Sequence, residues 1–434
     1  MLCASLVLRL VFIGVPPLVT NCEPAPCPLS GWDLGLIFDE WYYVNAARNI
    51  IGRPMIFGYV GELAVVTNNS TPTVATRYHT VTDVYPNATK FTDPNSEHPP
   101  LAKLMVAFSA LLLGENALAY RLPSAIFGTF LLLFLYLAVK KLTTDQVAFY
   151  AATFLSFDTL TLIHSRIFML DIFMVSLMML GFCLFLRGRY VAAGVAVGLS
   201  ALSKEVGVIG LPIILSFLIL ERVVSGDLKV RETTMAAAKF VLGFALPVIL
   251  LSGAMAIWWN VSPPQQIQNI TSLSSLKVDH YNLDGSYVDI GSSYAKFGNI
   301  SPPWLWLLNQ NAIDYFNGVI DSGLVVKYVG AMNPLLAYIM LPAVAYSVWH
   351  YWNTHNRADL FGLTWWAWSY IVYYPLAFIG RMMYIFYMLP VMGAISLMAA
   401  NLMCHPKMNP FVRYLYTGTV IVVMLLQFPV KPPL

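Results

Sequence analysis

Ionisable side chains interrupt several otherwise apolar segments of this sequence. Arg166 and Asp171 lie in HSRIFMLDIFM, Lys204 and Glu205 in ALSKEVGV, and Arg381 in FIGRMMYIF. An unpaired charge is costly in an apolar environment, so these groups should pair with one another or line a polar cavity. In such a cavity a carboxylate can act as a base, and a Lys or Arg side chain can bind an anionic group. The pattern therefore indicates polar chemistry inside an apolar protein.

The composition determines the class of protein that must position these groups. Of 434 residues, 58% are hydrophobic and only 11% are charged, whereas roughly a quarter of a soluble chain is charged. A formal net charge of +3 is too small to indicate nucleic-acid binding. The five cysteines form no metal-ligand pattern, although Cys22 and Cys27 are close enough in sequence to form a disulfide. The sequence therefore predicts an all-α polytopic membrane protein.

About eleven segments have the length and apolar character of a transmembrane helix. We place them at residues 2–19, 121–139, 145–163, 167–186, 190–203, 206–220, 239–258, 329–350, 360–379, 383–401 and 411–428. The first resembles a signal peptide but has no clear small-residue cleavage site, so we expect it to be retained. No charged-rich segment is long enough for a separate soluble module, and we expect one membrane domain over residues 1–434.

The distribution of basic residues predicts the orientation, because Lys and Arg are retained on the cytoplasmic side. One set of loops contains Lys140, Lys141, Arg187, Arg189, Arg222, Lys229, Arg231, Lys239, Arg357, Lys407 and Arg413. This assignment places the N-terminus in the cytoplasm and two long connections outside, at residues 20–119 and 259–328. All six Asn-x-Ser/Thr sequences lie in these external loops, at Asn68, Asn69, Asn87, Asn260, Asn269 and Asn299, which supports the assignment.

Most of the remaining charges then fall at the outward-facing ends of different spans. They are Asp39, Glu40, Glu97, His98, Lys103, Arg121, Asp158, Arg166, Asp171, Lys204, Glu205 and Arg381. Any single one could simply anchor a helix end by extending to the interface. The group as a whole favours a functional site on the external face.

The first external loop carries two segments that suit helices lying at the membrane interface. In FDEWYYVNAARNIIG, the residues from Asp39 onward suit an amphipathic helix with its aromatic side against lipid headgroups. Asp39 could also be only an acid at the helix start, where it favours the helix dipole. EHPPLAKLMVAFSALLLG begins with a Pro pair that can start a second such helix. The two helices would flank a polar loop.

These stretches resemble the protein O-mannosyltransferases, polyprenyl-phosphate-mannose-dependent enzymes of the GT-C membrane glycosyltransferase class. The resemblance extends, in the same order, over residues 39–390. Its motifs are the Asp39-Glu40 pair, HPPLAK (His98–Lys103), YRLPSAIFG (Tyr120–Gly128), SRIFMLD (Ser165–Asp171), SKEVG (Ser203–Gly207), SPPWLW (Ser301–Trp306), GAMNP (Gly330–Pro334) and RMMYIFYMLP (Arg381–Pro390). The resemblance implies a GT-C fold with about eleven transmembrane helices and interfacial helices in the first external loop.

Two features depart from that family. The second external loop is too short for the β-trefoil MIR domain of eukaryotic members, so the chain resembles the shorter prokaryotic or archaeal ones. Tyr387 stands where the family often has a His, and a role for that His cannot be transferred to this chain.

The implied reaction moves a sugar from a lipid phosphate to a hydroxyl group, and its transition state builds negative charge on the leaving phosphate. Asp39 is the candidate catalytic base, and Glu40 would orient the site or hold the acceptor. For the donor phosphate the candidates are Arg121 and Arg381, followed by His98 and Lys204. Arg166 and Asp171, five residues apart on one helix, are expected to be structural or to belong to a charge network with Glu205.

The resemblance also implies the partners. We expect a polyprenyl-phosphate-mannose donor, a protein acceptor with Ser or Thr, contact with membrane lipid and no nucleic acid; a dimer is left open. No Asp-x-Asp sequence indicates a required metal, although the acidic external face could hold a divalent cation. Trp304 and Trp306 suit an interfacial aromatic belt better than sugar stacking. The active site would face outward, from the cell membrane or, in a eukaryote, from the endoplasmic reticulum.

Two other functions remain open. A GT-C relative could transfer another sugar to a lipid or glycan. A secondary transporter, the rival from a different class, usually has repeated halves and charges near the bilayer midplane, whereas here the charges gather at one face.

Overall fold

Helices form most of the computed structural model, which describes residues 2–18, 35–56, 60–68, 71–79, 85, 88–272, 276–288, 300–320 and 323–432. The α-helices, in chain order, are α1 (Leu2–Leu10), α2 (Glu40–Ile50), α3 (Leu101–Leu113), α4 (Ala117–Leu142), α5 (Asp145–Ser156), α6 (Thr159–His164), α7 (Leu170–Phe185), α8 (Tyr190–Ser203), α9 (Gly210–Val224), α10 (Val230–Trp258), α11 (Pro263–Ser272), α12 (Pro303–Trp306), α13 (Pro334–Thr354), α14 (Arg357–Trp366), α15 (Tyr373–Phe378), α16 (Leu389–Met403) and α17 (Pro410–Leu426). The predicted helical fold class is confirmed.

Within the described part of the chain, four continuous helical segments are long and apolar enough to cross a membrane. They are Ala117–Leu142, Glu205–Val224, Val230–Trp258 and Ile385–Met403, and four shorter apolar helices accompany them. A helix or group of helices lies at each of the eleven predicted spans, while the number of crossings stays a prediction. The Cys22 to Cys27 disulfide lies outside the described residues.

Small residues allow two of the helices to approach closely. A Cβ atom added at Gly194 in α8 would lie 2.0 Å from the carbonyl oxygen of Phe240 in α10, and one at Gly198 would lie 2.5 Å from that of Phe244. This Gly-x-x-x-Gly spacing is typical of tightly packed membrane helices. The contact holds α8, whose C-terminal end carries Lys204, firmly against its neighbour.

The two helices of the first external loop occur where the sequence predicts them, as α2 and α3. The prediction that the aromatic side of α2 faces lipid headgroups is wrong. Trp41 and Tyr43 are only 3% and 2% exposed, because α2 packs inside the protein against α3. An amphipathic pattern fixes the apolar side of a helix but does not identify what covers it.

Short strands, which the sequence analysis did not predict, occupy parts of both loops predicted to be external and a segment near residue 430. They are β1 (Val60–Asn68), β2 (Thr71–His79), β3 (His280–Tyr281), β4 (Tyr287–Val288), β5 (Ile313–Val319), β6 (Val325–Gly330) and β7 (Val430–Lys431). β5, β6 and β7 form one antiparallel sheet in that order. This sheet lies against the same end of the helices as α2.

Candidate functional site

Asp39 lies at the start of α2, where the chain enters the helix. It occupies the N-cap position, yet its side chain makes no capping hydrogen bond. Burial raises the pKa of the Asp39 carboxyl to about 6, although the positive charges of Lys204 and His98 and hydrogen bonding to Tyr43 oppose this shift. Asp39 therefore does not act as a side-chain cap, and its titration is adjusted by other side chains of the site.

Lys204 forms a buried ion pair near Asp39. Its Nζ atom donates to both carboxylate oxygens of Asp171, each at 2.9 Å, and the two side chains are 7% and 5% exposed. The helix α8 ends at Ser203, and Lys204 adopts an extended conformation before a short 3-10 turn begins at Glu205. This break between two spans directs Lys204 back toward the first turn of α7, where Asp171 lies.

His98 and Glu205 form a second pair in the same region. The Nδ1 atom of His98 lies 2.8 Å from Oε2 of Glu205, and His98 also packs edge-on against the ring of Tyr43 at 5.9 Å. Although Glu205 is adjacent to Lys204 in sequence, its closest charged partner is His98. Each of the two adjacent residues pairs with a different partner from another segment.

A buried lysine holds the loop that carries His98. The Nζ atom of Lys103 lies 2.5 Å from Oδ2 of Asp93 and donates to the carbonyl oxygen of His98 at 2.9 Å and to that of Asn95. The side chains of Lys103 and Asp93 are 0% and 1% exposed. This network fixes the backbone just before α3 and so positions the His98 ring.

An aromatic contact connects Asp39 to the external sheet. The ring of Phe38 stacks on Tyr315 of β5 at 4.2 Å between centroids, and the Tyr315 hydroxyl lies 2.9 Å from Nε2 of His164. The approach requires a glycine in β6, because a Cβ at Gly330 would lie 2.4 Å from the Tyr315 ring. The sheet therefore supports the residue that precedes Asp39.

Arg381 lies at the margin of this site. Its Nη1 atom donates to the carbonyl oxygen of Leu276 at 3.3 Å, and its backbone pairs with Lys277 of the second external loop. Its charge also acts on Tyr387, as does that of Lys204. Tyr387 thus lies close to both cations.

Glu40 and Arg121 form a separate, fully buried cluster. Nε and Nη2 of Arg121 each donate to one oxygen of Glu40 at 2.8 Å. The remaining guanidinium donors contact the carbonyl oxygens of Ile13, Pro16 and Gly35. This geometry does not fit the expected phosphate contact of Arg121, because all its donors already have protein partners.

Glu40 is equally occupied. Besides Arg121, its carboxylate accepts the backbone N–H groups of Phe168 at 2.8 Å and Ile37 at 2.9 Å, and the residue is 1% exposed. Of the two roles expected for Glu40, this arrangement fits orientation of the site and not contact with an acceptor.

Arg166 belongs to neither group of charges. It donates to the carbonyl oxygens of Leu8, Arg9 and Val11 around the end of α1 and lies over the ring of Phe428 at 4.7 Å. Its geometry is that of a structural anchor, as expected. Asp171, which we expect to be structural or to belong to a charge network, pairs with Lys204.

The structure thus brings together Asp39, His98, Asp171, Lys204 and Glu205, with Arg381 beside them. Sequence reasoning did not single out Tyr43, His164, Tyr315 or Asp93. His164 directly precedes the SRIFMLD motif and Asp93 lies a few residues before HPPLAK, so the neighbouring motifs could have identified both. No motif lies near Tyr315.

The expectation that Trp306 lies in an interfacial aromatic belt is wrong. It is completely buried, and its indole nitrogen donates to Ser301 at 2.9 Å, so it is not part of an interfacial belt. Among the described residues, no group of three or more His, Cys, Asp or Glu side chains could hold a metal ion.

Comparison with known proteins agrees with the motifs. Residues 97–251 match the family model described as dolichyl-phosphate-mannose-protein mannosyltransferase, a segment that includes His98, Asp171, Lys204 and Glu205. The structure superposes on the Saccharomyces cerevisiae protein O-mannosyltransferase Pmt1-Pmt2 complex bound to the sugar donor, with a TM-score of 0.61 and 11% identity over 98% of this chain and 88% of that chain. The chain has the GT-C fold.

Two other GT-C structures are also similar. ArnT from Cupriavidus metallidurans, bound to undecaprenyl phosphate, gives a TM-score of 0.54 at 14% identity over 98% of this chain and 62% of that one. The Archaeoglobus fulgidus oligosaccharyltransferase AglB, with an inhibitory peptide and a dolichol-phosphate, gives 0.52 at 14% identity over 100% and 56%. The chain therefore spans less than two thirds of the length of these bacterial and archaeal GT-C proteins. No curated protein matches it in sequence.

Proposed function

We propose that this protein is an inverting glycosyltransferase that moves mannose from a polyprenyl-phosphate donor to Ser or Thr hydroxyls of proteins on the extracytoplasmic side. The observation that carries the proposal is the position of Asp39, half-buried beside the Lys204–Asp171 and His98–Glu205 pairs. A carboxylate and several cations from distant segments are what transfer from a lipid phosphate to a hydroxyl requires.

Asp39 acts as the general base in this proposal. With a pKa of about 6, it is about nine-tenths ionised at pH 7 and can accept the proton of the acceptor hydroxyl. The hydroxyl oxygen bonds to the anomeric carbon while the bond from that carbon to the phosphate oxygen breaks. The polyprenyl phosphate leaves with the electron pair, and attack from the opposite face inverts the anomeric centre.

Cations stabilise the leaving phosphate. Arg381 is our first candidate because a guanidinium can contact two phosphate oxygens and because this residue is half-buried at the margin of the site. Lys204 contributes positive charge nearby, and His98 can donate a hydrogen bond, although each already pairs with a carboxylate. Arg121 is not proposed as a phosphate ligand. We propose that it positions α2 through its ion pair with Glu40.

The similar proteins support the donor class. One is bound to undecaprenyl phosphate, one carries a dolichol-phosphate, and the yeast complex is bound to its sugar donor. The yeast structure is also a complex of two chains, and a dimer of this chain is a further proposal. Cross-linking the purified protein before electrophoresis tests that point.

The decisive experiment incubates purified protein with radiolabelled polyprenyl-phosphate-mannose and a Ser/Thr-rich peptide. Label should pass to the peptide, and a peptide with Ala at every Ser and Thr should remain unlabelled. Labelling of neither peptide, with donor binding intact, contradicts the proposed acceptor.

A second candidate is transfer of another sugar to a lipid or glycan acceptor. ArnT and AglB share the fold of this chain at 14% identity. Such similarity shows the fold alone, so this second function stays a candidate. Replacing mannose by other sugars on the donor and extracting lipids after the reaction separates the two functions. The shared fold gives no support to the secondary transporter.

A further inference from the structure

Two adjoining cavities form a groove at the other end of the helices from Asp39. The first, about 340 Å³, lies between α9 and α14 and is lined mainly by apolar residues that include Leu220, Leu363 and Trp368. The second, about 470 Å³, continues it toward the ends of α9 and α13. Leu360 lines both cavities, so the two adjoin at this residue, and we refer to them together as the groove.

Most residues that line the second cavity have polar or charged side chains, and two of them are arginines. Arg222 donates through Nη1 to Asp227 at 3.2 Å, and Arg357 donates through Nε to Glu221. Among the described residues, no protein group accepts from Nη2 of Arg222 or from either terminal nitrogen of Arg357. The hydroxyl of Tyr351, which also lines this cavity, is buried and has no partner among those residues. The cavity therefore offers several unused donors to an anionic group.

The first cavity suits an alkyl chain. Its wall includes Ala367 and Trp368, which begin a π-helical turn (Ala367–Ile371) after α14. The Trp368 indole nitrogen donates to Ser216 at 2.9 Å, so the polar atom of this ring is satisfied and its apolar surface remains available. The groove is thus amphipathic along its length, as a phospholipid is.

The polar cavity lies at the end of the helices that the basic residues predict to be cytoplasmic. Basic pockets between transmembrane helices on that side suit anionic lipid headgroups. The site around Asp39, which would take a polyprenyl phosphate, lies at the opposite end. We propose that this groove binds an anionic phospholipid of the cytoplasmic leaflet, with its phosphate at Arg222 and Arg357 and an acyl chain along Trp368.

Native mass spectrometry of the purified full chain with equal amounts of phosphatidylglycerol and phosphatidylcholine tests this proposal. Phosphatidylglycerol should be retained preferentially. Arg222→Gln and Arg357→Gln should each weaken its retention about fivefold, the factor expected for one basic residue near an anionic surface. Arg231→Gln is the matched control, because this exposed arginine is at the same end of the helices but does not line the groove.

Two further variants keep the test independent of the ion pairs. Tyr351→Phe removes a hydroxyl without a protein partner among the described residues, so it should preserve folding and still weaken phosphatidylglycerol retention. Ala367→Phe fills the apolar cavity and should weaken retention of the lipid although both arginines remain. Equal retention of the two phospholipids, equal loss in Arg231→Gln, or full displacement by inorganic phosphate or polyprenyl phosphate overturns the proposal.

Discussion

Asp39 and Glu40 are adjacent in sequence, yet they serve two different regions of the molecule. Glu40 is buried in a cluster where Arg121 and two backbone N–H groups saturate its carboxylate. Asp39 lies half-buried in a region of mixed charge, where burial raises its pKa. Successive helical residues point about 100° apart, so one motif can supply both a structural anchor and a reactive group. Two adjacent acidic residues therefore need not both take part in catalysis.

Removing the Asp39 carboxylate should give the largest effect on turnover. Asp39→Asn keeps the size of the side chain but cannot accept the acceptor proton, so transfer should fall about 100-fold to 10,000-fold. The radiolabelled-donor assay measures the loss, and donor binding should be retained. Turnover at the normal rate would show that Asp39 is not the catalytic base. Asp39 would then not differ from Glu40 in chemical role.

Breaking the buried pair should instead affect stability. Arg121→Leu leaves the Glu40 charge without its partner, at a cost of about 3–5 kcal/mol in the free energy of unfolding. Thermal unfolding in detergent should show a large drop in the midpoint.

The matched control for this pair is the double variant Arg121→Leu with Glu40→Leu. It removes both charges and should recover part of the lost stability, because the two residues couple directly. A stable Arg121→Leu protein that has lost only donor binding would instead restore the phosphate role of Arg121.

A third substitution tests the role of Arg381 separately from that of the buried Arg121. Arg381→Gln should raise the KM for the donor about tenfold or more, as expected for loss of a hydrogen bond between charged groups, with little change in the KM for the peptide. Steady-state kinetics with each substrate varied in turn provide the test. Equal effects on both substrates would contradict the phosphate assignment.

The pH dependence gives the smallest but most specific effect. Because Asp39 must be ionised to act as a base, kcat/KM should fall about tenfold per pH unit below its pKa of about 6. Stability should change in the opposite direction. Since burial raises the pKa of Asp39 above its unfolded value, its contribution to stability is greatest below about pH 4 and is lost as the pH rises through about 6.

Asp39→Asn tests this sign. Its midpoint of unfolding should lie at or above that of the wild type at pH 7, and the difference should vanish near pH 4. Asp314→Asn, at a half-exposed carboxylate of the external sheet, is the control and should show no such crossover. A wild type that is more stable than Asp39→Asn at pH 7 would contradict the cause assigned to the shift.

The helices were the most predictable part of the fold, because apolar segments of sufficient length must span or be buried. The positions of α2 and α3 were also visible, but the burial of Trp41 was not, since amphipathicity does not reveal whether lipid or protein covers a face. The strands β5 and β6 were missed, although the β-branched and aromatic residues of VVKYVG are typical of a strand. Such short strands form only when tertiary contacts support them.

The candidate site was only partly predictable for a similar reason. Motifs identified the charged residues, but the choice of partner depends on segments far apart in sequence. Glu40 and Arg121 are separated by 81 positions, and nothing in their spacing indicates a bidentate pair. Likewise, no sequence pattern pairs Lys204 with Asp171 and its neighbour Glu205 with His98. The interruption of the helix at Lys204 determines these partners.

The sheet formed by β5, β6 and β7 has a practical consequence. β7, near residue 430, pairs with β6, and β6 supports the strand whose Tyr315 stacks on Phe38. Shortening the protein after Leu426, or inserting a bulky affinity tag there, would therefore disturb the surroundings of Asp39 from a segment distant in sequence. Preparations of this protein for assays should keep β7 intact.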